Sequence, residues 1–218
     1  MIEWRYQTKW LTETHLLIDF QQTKTENAPL NLCLAQLAEN MRTQAPSQIR
    51  QLVSAAAHIM IELDVLTDTT QFEPWLKAQL QAFSLQTRQP KLWNIPVQYQ
   101  GEDLNTLSQQ LNLSIEQIIK LHSQTLWQVQ ALGFAPGFAY MGDAPPALRL
   151  PRRATPRTQV PAGAVAIAEN YSAIYPIDSP GGWHIIGYTD FKTLDWTQTP
   201  PGCFNPGDQI QFIAANPL

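Results

Sequence analysis

The sequence predicts an α+β protein in two parts: a small sheet covered by helices over residues 1–90, then a β-barrel over residues 91–218. Three observations carry this. Before residue 90, short apolar runs alternate with segments whose apolar residues recur every three or four positions. After Phe134 the helical period stops, and short apolar runs follow one another between turn residues. Nine of the ten glycines and twelve of the seventeen prolines lie at or after Gly133, so the second part is dense in turns.

In the first part, Thr14–Phe20 is short, apolar and bounded by polar residues, which predicts a strand. Residues 28–43 form an amphipathic helix: Leu30, Leu34, Leu37 and Met41 share a face, Pro29 suits the first turn and Pro46 ends it. Ile49–Val53 reads as a short edge strand and His58–Asp64 as a stronger one. Thr69–Phe83 is helical, with Phe72, Trp75, Leu76, Leu80 and Phe83 on one face and Pro74 tolerated in the first turn. His15 and His58 sit in strands with no carboxylate at a telling spacing, and Glu62 and Asp64 alternate on one strand face, so this half is given a structural or partner-binding role.

Arg88-Gln89-Pro90-Lys91 reads as the linker. A strand follows over Leu92–Tyr99, then a helix over Glu102–Leu111 with Leu104, Leu107 and Leu111 on one side. Ser114-Ile115-Glu116-Gln117 is a capping box, and the helix it opens runs to about His122. Leu126–Phe134 is a partly alternating strand. Val165–Ala168, Ala173–Pro176, Trp183–Thr189 and Gln209–Ile213 complete the barrel, with turns at Glu169-Asn170 and Pro206-Gly207-Asp208.

The net charge of −4 gives no bulk attraction for nucleic acid. Against that acidic background, four of the fourteen Lys and Arg residues fall between Arg149 and Arg157, a local cluster suited to a small anion. Cys33 and Cys203 sit in no Cys/His ligand pattern, which points away from zinc and towards free thiols in a reducing cytoplasm. The residues after Met1 show no apolar leader, and no run has the roughly 18 apolar residues of a membrane span. A cytoplasmic protein is expected.

The chemistry is expected between Gly133 and Gly187. Prolines 151, 156 and 161 stiffen the backbone that carries Arg152, Arg153 and Arg157, so their guanidiniums are preorganised for carboxylate or phosphate. Gly181-Gly182 allows close backbone approach with two unscreened N–H donors. Asp178 and His184 flank that turn as a base and an acid, and Gly133–Phe138 supplies aromatic walls. His122, at a helix end, leads into the same stretch.

Several pieces, in order, resemble one family: Ile95-Pro96-Val97, Leu121-His122, Gly133-Phe134-x-Pro136-Gly137-Phe138-x-Tyr140, Pro151-Arg152-Arg153-x-x-Pro156-Arg157 and Val160-Pro161-Ala162-Gly163. Ile174-Tyr175-Pro176, Ser179-Pro180-Gly181-Gly182-Trp183 and Pro206-Gly207-Asp208 extend the match. The family is that of the B-type subunit of bacterial 5-oxoprolinase. It also takes in allophanate hydrolase subunit 1, the first half of the carboxyltransferase domain of urea carboxylase, and an inhibitor of a sporulation sensor histidine kinase. The resemblance implies a small ferredoxin-like α+β N-terminal domain and a cyclophilin-like β-barrel. It implies work with a homologous C-type subunit and with a third one, with ATP driving hydrolysis of 5-oxoproline to glutamate; ATP is bound by this chain or by the complex. The alternatives it opens are a binding module that inhibits a sensor histidine kinase and a carboxyl-transfer half-domain.

By the same resemblance, Arg152 and Arg157 are expected as anion clamps, Gly181 and Gly182 as backbone donors, and His122 and Asp178 as acid/base groups, with Arg153, Tyr175 and Trp183 lining the site. The chain departs from the family pattern in places. Gly101-Glu102-Asp103-Leu104 is shorter than a Gly-Glu-Gly-Pro-Asp-Leu segment, and Ala164 stands at a serine position. Glu169-Asn170-Tyr171-Ser172-Ala173 replaces a Gly-Gly-Gln-Thr-Gly turn, and Tyr188 stands at an arginine position. The bulk of Tyr171 is expected to reshape the pocket.

Overall fold

A computed structural model describes residues 4–21, 30–55, 57–65, 69–84 and 89–215. The expected first-turn Pro29 and the start of the linker at Arg88 lie outside the described residues. The chain divides into two compact units, Met1–Gln89 and Pro90–Leu218.

The first unit runs β1 (Arg5–Trp10), β2 (His15–Gln21), α1 (Leu30–Thr43), β3 (Ile49–Ser54), β4 (His58–Leu63), α2 (Thr69–Ala82). The sheet order is β1-β2-β4-β3, and every neighbouring pair is antiparallel. Strands β2 and β4 alternate, so Leu16, Ile18, Phe20, Ile59, Ile61 and Leu63 leave water on one face. Leu34, Leu37 and Met41 of α1 and Phe72, Leu76 and Leu80 of α2 close that core. The connectivity is β-β-α-β-β-α, whereas a ferredoxin-like chain runs β-α-β-β-α-β. The split unit is present, with β4 between β2 and β3, but the edge strand beside β2 comes from the hairpin at the start of the chain.

Strand β1 leaves no periodic mark in the sequence. Five of its six residues are exposed, so it has no buried face to impose a period. Pro74 is placed later than expected: it lies inside α2, past the first turn. His58 does have a carboxylate partner, Asp19 at 3.3 Å, brought opposite it by the β2–β4 register. Both groups are exposed, and the first unit offers no enclosed acid/base pair at this point.

The second unit contains β5 (Leu92–Val97), α3 (Leu104–Leu111), α4 (Ile115–Gln124), β6 (Leu126–Leu132), β7 (Ala139–Gly142), β8 (Arg157–Val160), β9 (Ala164–Ala168), β10 (Tyr171–Ile174), β11 (Ser179–Gly181), β12 (His184–Tyr188) and β13 (Gln209–Ala214). Seven strands form a sheet ordered β12-β9-β10-β7-β6-β13-β5. Its two ends meet at a bridge where Gln98 and Tyr188 exchange backbone hydrogen bonds of 2.8 and 2.9 Å, so the sheet nearly closes into a barrel. Strands β8 and β11 form a separate antiparallel ribbon that pairs Arg157 with Gly181 and Val160 with Ser179.

The capping box predicted at Ser114 is formed in full. It fixes the start of α4, whose Ile118 joins Leu107 of α3, Trp127, Val129, Ile95, Val97 and Phe212 in the main core. Strand β9 is buried at every residue, the mark of a strand covered on both faces. Val165 and Ile167 face the main core, while Ala164, Ala166 and Ala168 face a second cluster with Phe138, Tyr175 and Trp183. Alternation of large and small residues on this one strand thus gives the barrel wall a packed outer layer. Among the described residues, no helix is long and apolar enough to cross a membrane.

Candidate functional site

The arginine loop is held to the Gly181-Gly182 segment by two hydrogen bonds. Arg153 N–H donates to the Gly182 carbonyl at 2.8 Å. His184 Nε2 donates to the Pro151 carbonyl at 2.9 Å, which makes it the protonated ring nitrogen. A Cβ built at Gly182 would lie 3.7 Å from Pro156 Cγ and 3.9 Å from Arg152 Cβ, so the glycine faces the loop directly. The structure therefore brings together Arg152, Arg153, Arg157, Gly181 and Gly182.

The centre of this arrangement is Asp103, which the sequence presents only as part of a shortened motif. It is 3% exposed. Its Oδ1 accepts from Arg153 Nη1 at 2.7 Å and Arg157 Nη2 at 2.9 Å, and its Oδ2 accepts from Ile185 N–H at 2.7 Å. Burial alone would push this carboxyl up. The hydrogen bonds from Arg157 and Ile185 and the two guanidinium charges outweigh burial and hold it below the usual carboxylate range. The hydrogen bond to Asp103 in turn raises Arg157.

At the start of α3, an aspartate ordinarily caps the helix through its side chain. Asp103 makes no such cap bond, because its oxygens are taken by the arginines and by β12. One carboxylate shared by two guanidiniums leaves donors over: Arg153 Nε and Arg157 Nη1 are buried with no hydrogen-bond partner among the described residues. Tyr188 Oη donates to Glu102 Oε1 at 2.6 Å, and the Glu102 charge also acts on Arg157. Burial and that hydrogen bond push the Tyr188 hydroxyl up to about 12.

Arg152 is placed differently. Its Nε lies 3.1 Å from Glu169 Oε1, with both side chains about half exposed. Beside it stands Tyr175, 2% exposed, whose hydroxyl a Cβ at Gly181 would overlap. Gly181 is therefore required by a close approach within the protein. Burial raises the Tyr175 hydroxyl, opposed by the Trp183 backbone and the Arg152 charge. Phe138 meets Tyr140, Tyr175 and Trp183 edge-on at 5.1, 5.5 and 5.8 Å. Phe134, 59% exposed, reaches Phe138 at 5.1 Å and Tyr175 at 6.3 Å. Tyr171 adds to this wall, stacked at 6.4 Å from Trp183.

His122, expected as an acid/base group, lies apart from the arginine loop. It is fully buried in the barrel core, stacked 4.5 Å from Phe212. Tyr99 Oη lies 2.7 Å from its Nδ1, and Ser172 Oγ lies 2.8 Å from its Nε2. Ser172 donates its proton to the Ala166 carbonyl, so its oxygen accepts from Nε2–H and Tyr99 donates to Nδ1. Desolvation pushes the imidazole down to about 3, so it is neutral at ordinary pH. With both nitrogens engaged and no exposed surface, it ties α4 to β10. Asp178 is exposed and also engaged: its carboxylate accepts from Ala162 N–H at 2.8 Å and Gln159 Nε2 at 2.9 Å, and the Ala162 bond lowers it. This holds the turn after β8 and disfavours proton uptake.

Residues 6–204 match the family described as carboxyltransferase domain, subdomain C and D. The chain belongs to this family. A protein of Haemophilus influenzae, named as the B-type subunit of 5-oxoprolinase, is 37% identical over 179 residues, 78% of this chain and 81% of that protein. An Escherichia coli O157:H7 protein of the same name is 42% identical over 122 residues, covering 55% of this chain and 56% of its own length. The crystal structure of TTHA0988 superposes with a TM-score of 0.77 at 33% identity, covering 94% of this chain and 40% of that one.

In this carboxyltransferase-domain member, the arginine, glycine and aromatic motifs converge, whereas His122 lies in the barrel core and Asp178 is exposed and bonded to the turn after β8. Two residues that complete the arrangement, Asp103 and Glu169, lie in segments where the chain departs from the family pattern. Asp103 lies 50 and 54 residues from its two arginines and Glu169 lies 17 from Arg152, so only the fold reveals the pairing.

Proposed function

We propose that this chain is one subunit of a 5-oxoprolinase-type amide-hydrolysing system, acting with a homologous partner and a third subunit to convert 5-oxoproline to glutamate with ATP. Its membership of the family and the names of its relatives support the reading. The observation in the site that carries it is Arg152, half exposed beside the Tyr175 hydroxyl and the Gly181-Gly182 turn, in the same loop as Arg153 and Arg157, which are held on the buried Asp103. Such a site suits a small ring bearing one carboxylate: the guanidinium takes the carboxylate and the aromatic wall takes the ring.

The three arginines are balanced by Asp103, Glu102 and Glu169. That balance fits one carboxylate better than a triphosphate, so ATP is assigned to the assembled complex. The barrel unit is read as cyclophilin-like on its near-closed sheet of seven strands.

The test is co-expression with the neighbouring family members, isolation of the complex and assay of ATP-dependent glutamate formation from 5-oxoproline. Activity is expected in the complex and absent from this chain alone. Arg152→Gln is expected to lower kcat/KM by about tenfold or more, the loss of one charge-assisted contact. A verified complex that is inactive beside an active control would falsify the reading.

A further inference from the structure

Arg153 and Arg157 are locked on a buried carboxylate, but Arg152 is not. Its pair with Glu169 is a single contact of 3.1 Å between side chains 56% and 49% exposed, and ion pairs so exposed return little stability. Glu169 adopts φ 56° as the first of the two residues that turn β9 back into β10, a hairpin position that calls for positive φ, so the turn rather than the ion pair fixes where its side chain starts. Four non-glycine residues among those described have positive φ. Asn112 and Asp143 are of types that tolerate it; the other two, Glu169 and Phe134, are not. Both border the surface around Tyr175 and Arg152.

The surroundings fix where the Glu169 carboxylate sits. Glu169 N–H donates to the Leu150 carbonyl at 2.6 Å, which ties its turn to the backbone two residues before Arg152. Arg152 stands against Gly182, and its charge reaches the Tyr175 hydroxyl. An anion that took the place of Glu169 would therefore meet Arg152, whose charge acts on the Tyr175 hydroxyl, and the exposed ring of Phe134 packs on that same tyrosine.

We propose that Glu169 is an internal carboxylate that occupies Arg152 and is exchanged for the carboxylate of a ligand, making Arg152 the exchangeable cation of the site and Glu169 the residue that sets its affinity. The ligand class is a small monocarboxylate with a flat or apolar body. This deepens the reading given above and rests on the same site.

The test is an NMR titration of the arginine Nε–H signals with sodium acetate, in the wild type, Glu169→Gln, Arg152→Gln and the double variant. Glu169→Gln is expected to bind acetate about three- to fivefold more tightly, the range set by losing one exposed competing pair. The gain should vanish when Arg152 is also replaced. Glu169→Gly is expected to raise Tm by a few degrees, roughly 2–4 °C, by relieving the left-handed strain. Equal acetate affinity in wild type and Glu169→Gln, or a gain that survives loss of Arg152, overturns the proposal. Repeating the titration with 5-oxoproline separates the two ideas: exchange with acetate but no binding of 5-oxoproline leaves the exchange standing and removes the substrate assigned to it.

Discussion

Two buried polar hubs in the second unit show how differently one barrel uses polar groups. Around His122 everything is neutral and complete: Tyr99 donates to one ring nitrogen, the other donates to Ser172, and Ser172 passes its proton to a carbonyl. Around Asp103 the side chains are charged and incompletely paired: two guanidiniums share one oxygen, and two of their nitrogens are left without partners among the described residues. A closed neutral chain holds helix to strand and has no capacity for a ligand. A charged hub with donors left over fixes the arginine loop and leaves electrostatic capacity at the site beside it.

Removing the charged hub should have the largest effect. Asp103→Ala leaves Arg153, Arg157 and the Ile185 N–H without their acceptor, and a loss of about 3–5 kcal/mol is expected in thermal or urea unfolding. Its carboxyl is held low in the fold, so its contribution is present above the unfolded value near 3.9 and fades only as pH falls through the lower folded value. A loss under about 1 kcal/mol would show that the two arginines find other partners.

The neutral hub should respond at a different pH. His122 titrates near 6.5 when unfolded and at about 3 when folded. A depressed pKa means that the stability is fully present above 6.5 and lost as pH falls from there towards 3, on the order of a few kcal/mol. Replacing His122 by Phe keeps the ring against Phe212 but strands the Tyr99 hydroxyl, at a cost of about 1–3 kcal/mol at pH 7. The variant should also flatten the acid limb between pH 6.5 and 4. Urea midpoints at pH 7, 5 and 4 read both effects, and an unchanged acid limb would mean that another group dominates it.

A smaller effect sharpens the boundary between the site and its support. Gly181→Ala should cost about 1–3 kcal/mol, because the new Cβ overlaps the Tyr175 hydroxyl. Tyr175→Phe should return part of that loss in the double variant, and a double-mutant cycle measures how much. Additive losses would place the constraint on Gly181 somewhere other than Tyr175.

Most of the frame is legible in the residues. The 3.6-residue period of α1 and α2, the Ser114–Gln117 capping box and the alternation of β2 and β4 each express one buried face, which composition and spacing record directly. Strand β1 is not legible, since it buries no face. The short strands β7, β8 and β11 escape for a related reason: at three or four residues each, they are too brief to establish a period. At the site, the gathering of Arg152, Arg153, Arg157, Tyr175, Gly181, Gly182 and Trp183 is legible because one stiff stretch carries them all. The role of His122 is not, because a histidine at a helix end looks the same in sequence whether it faces water or a core.

By itself, the sequence determined the two-part α+β plan, the turn-rich barrel half and the motifs that mark the family. These depend on local period, glycine and proline, whose effects act within a few residues. Only the tertiary structure decided which arginine is spoken for. Charge pairing and burial depend on distance in space, and the fold sets Asp103 against Arg153 and Arg157 and Glu169 against Arg152 across gaps in sequence that no local rule can bridge.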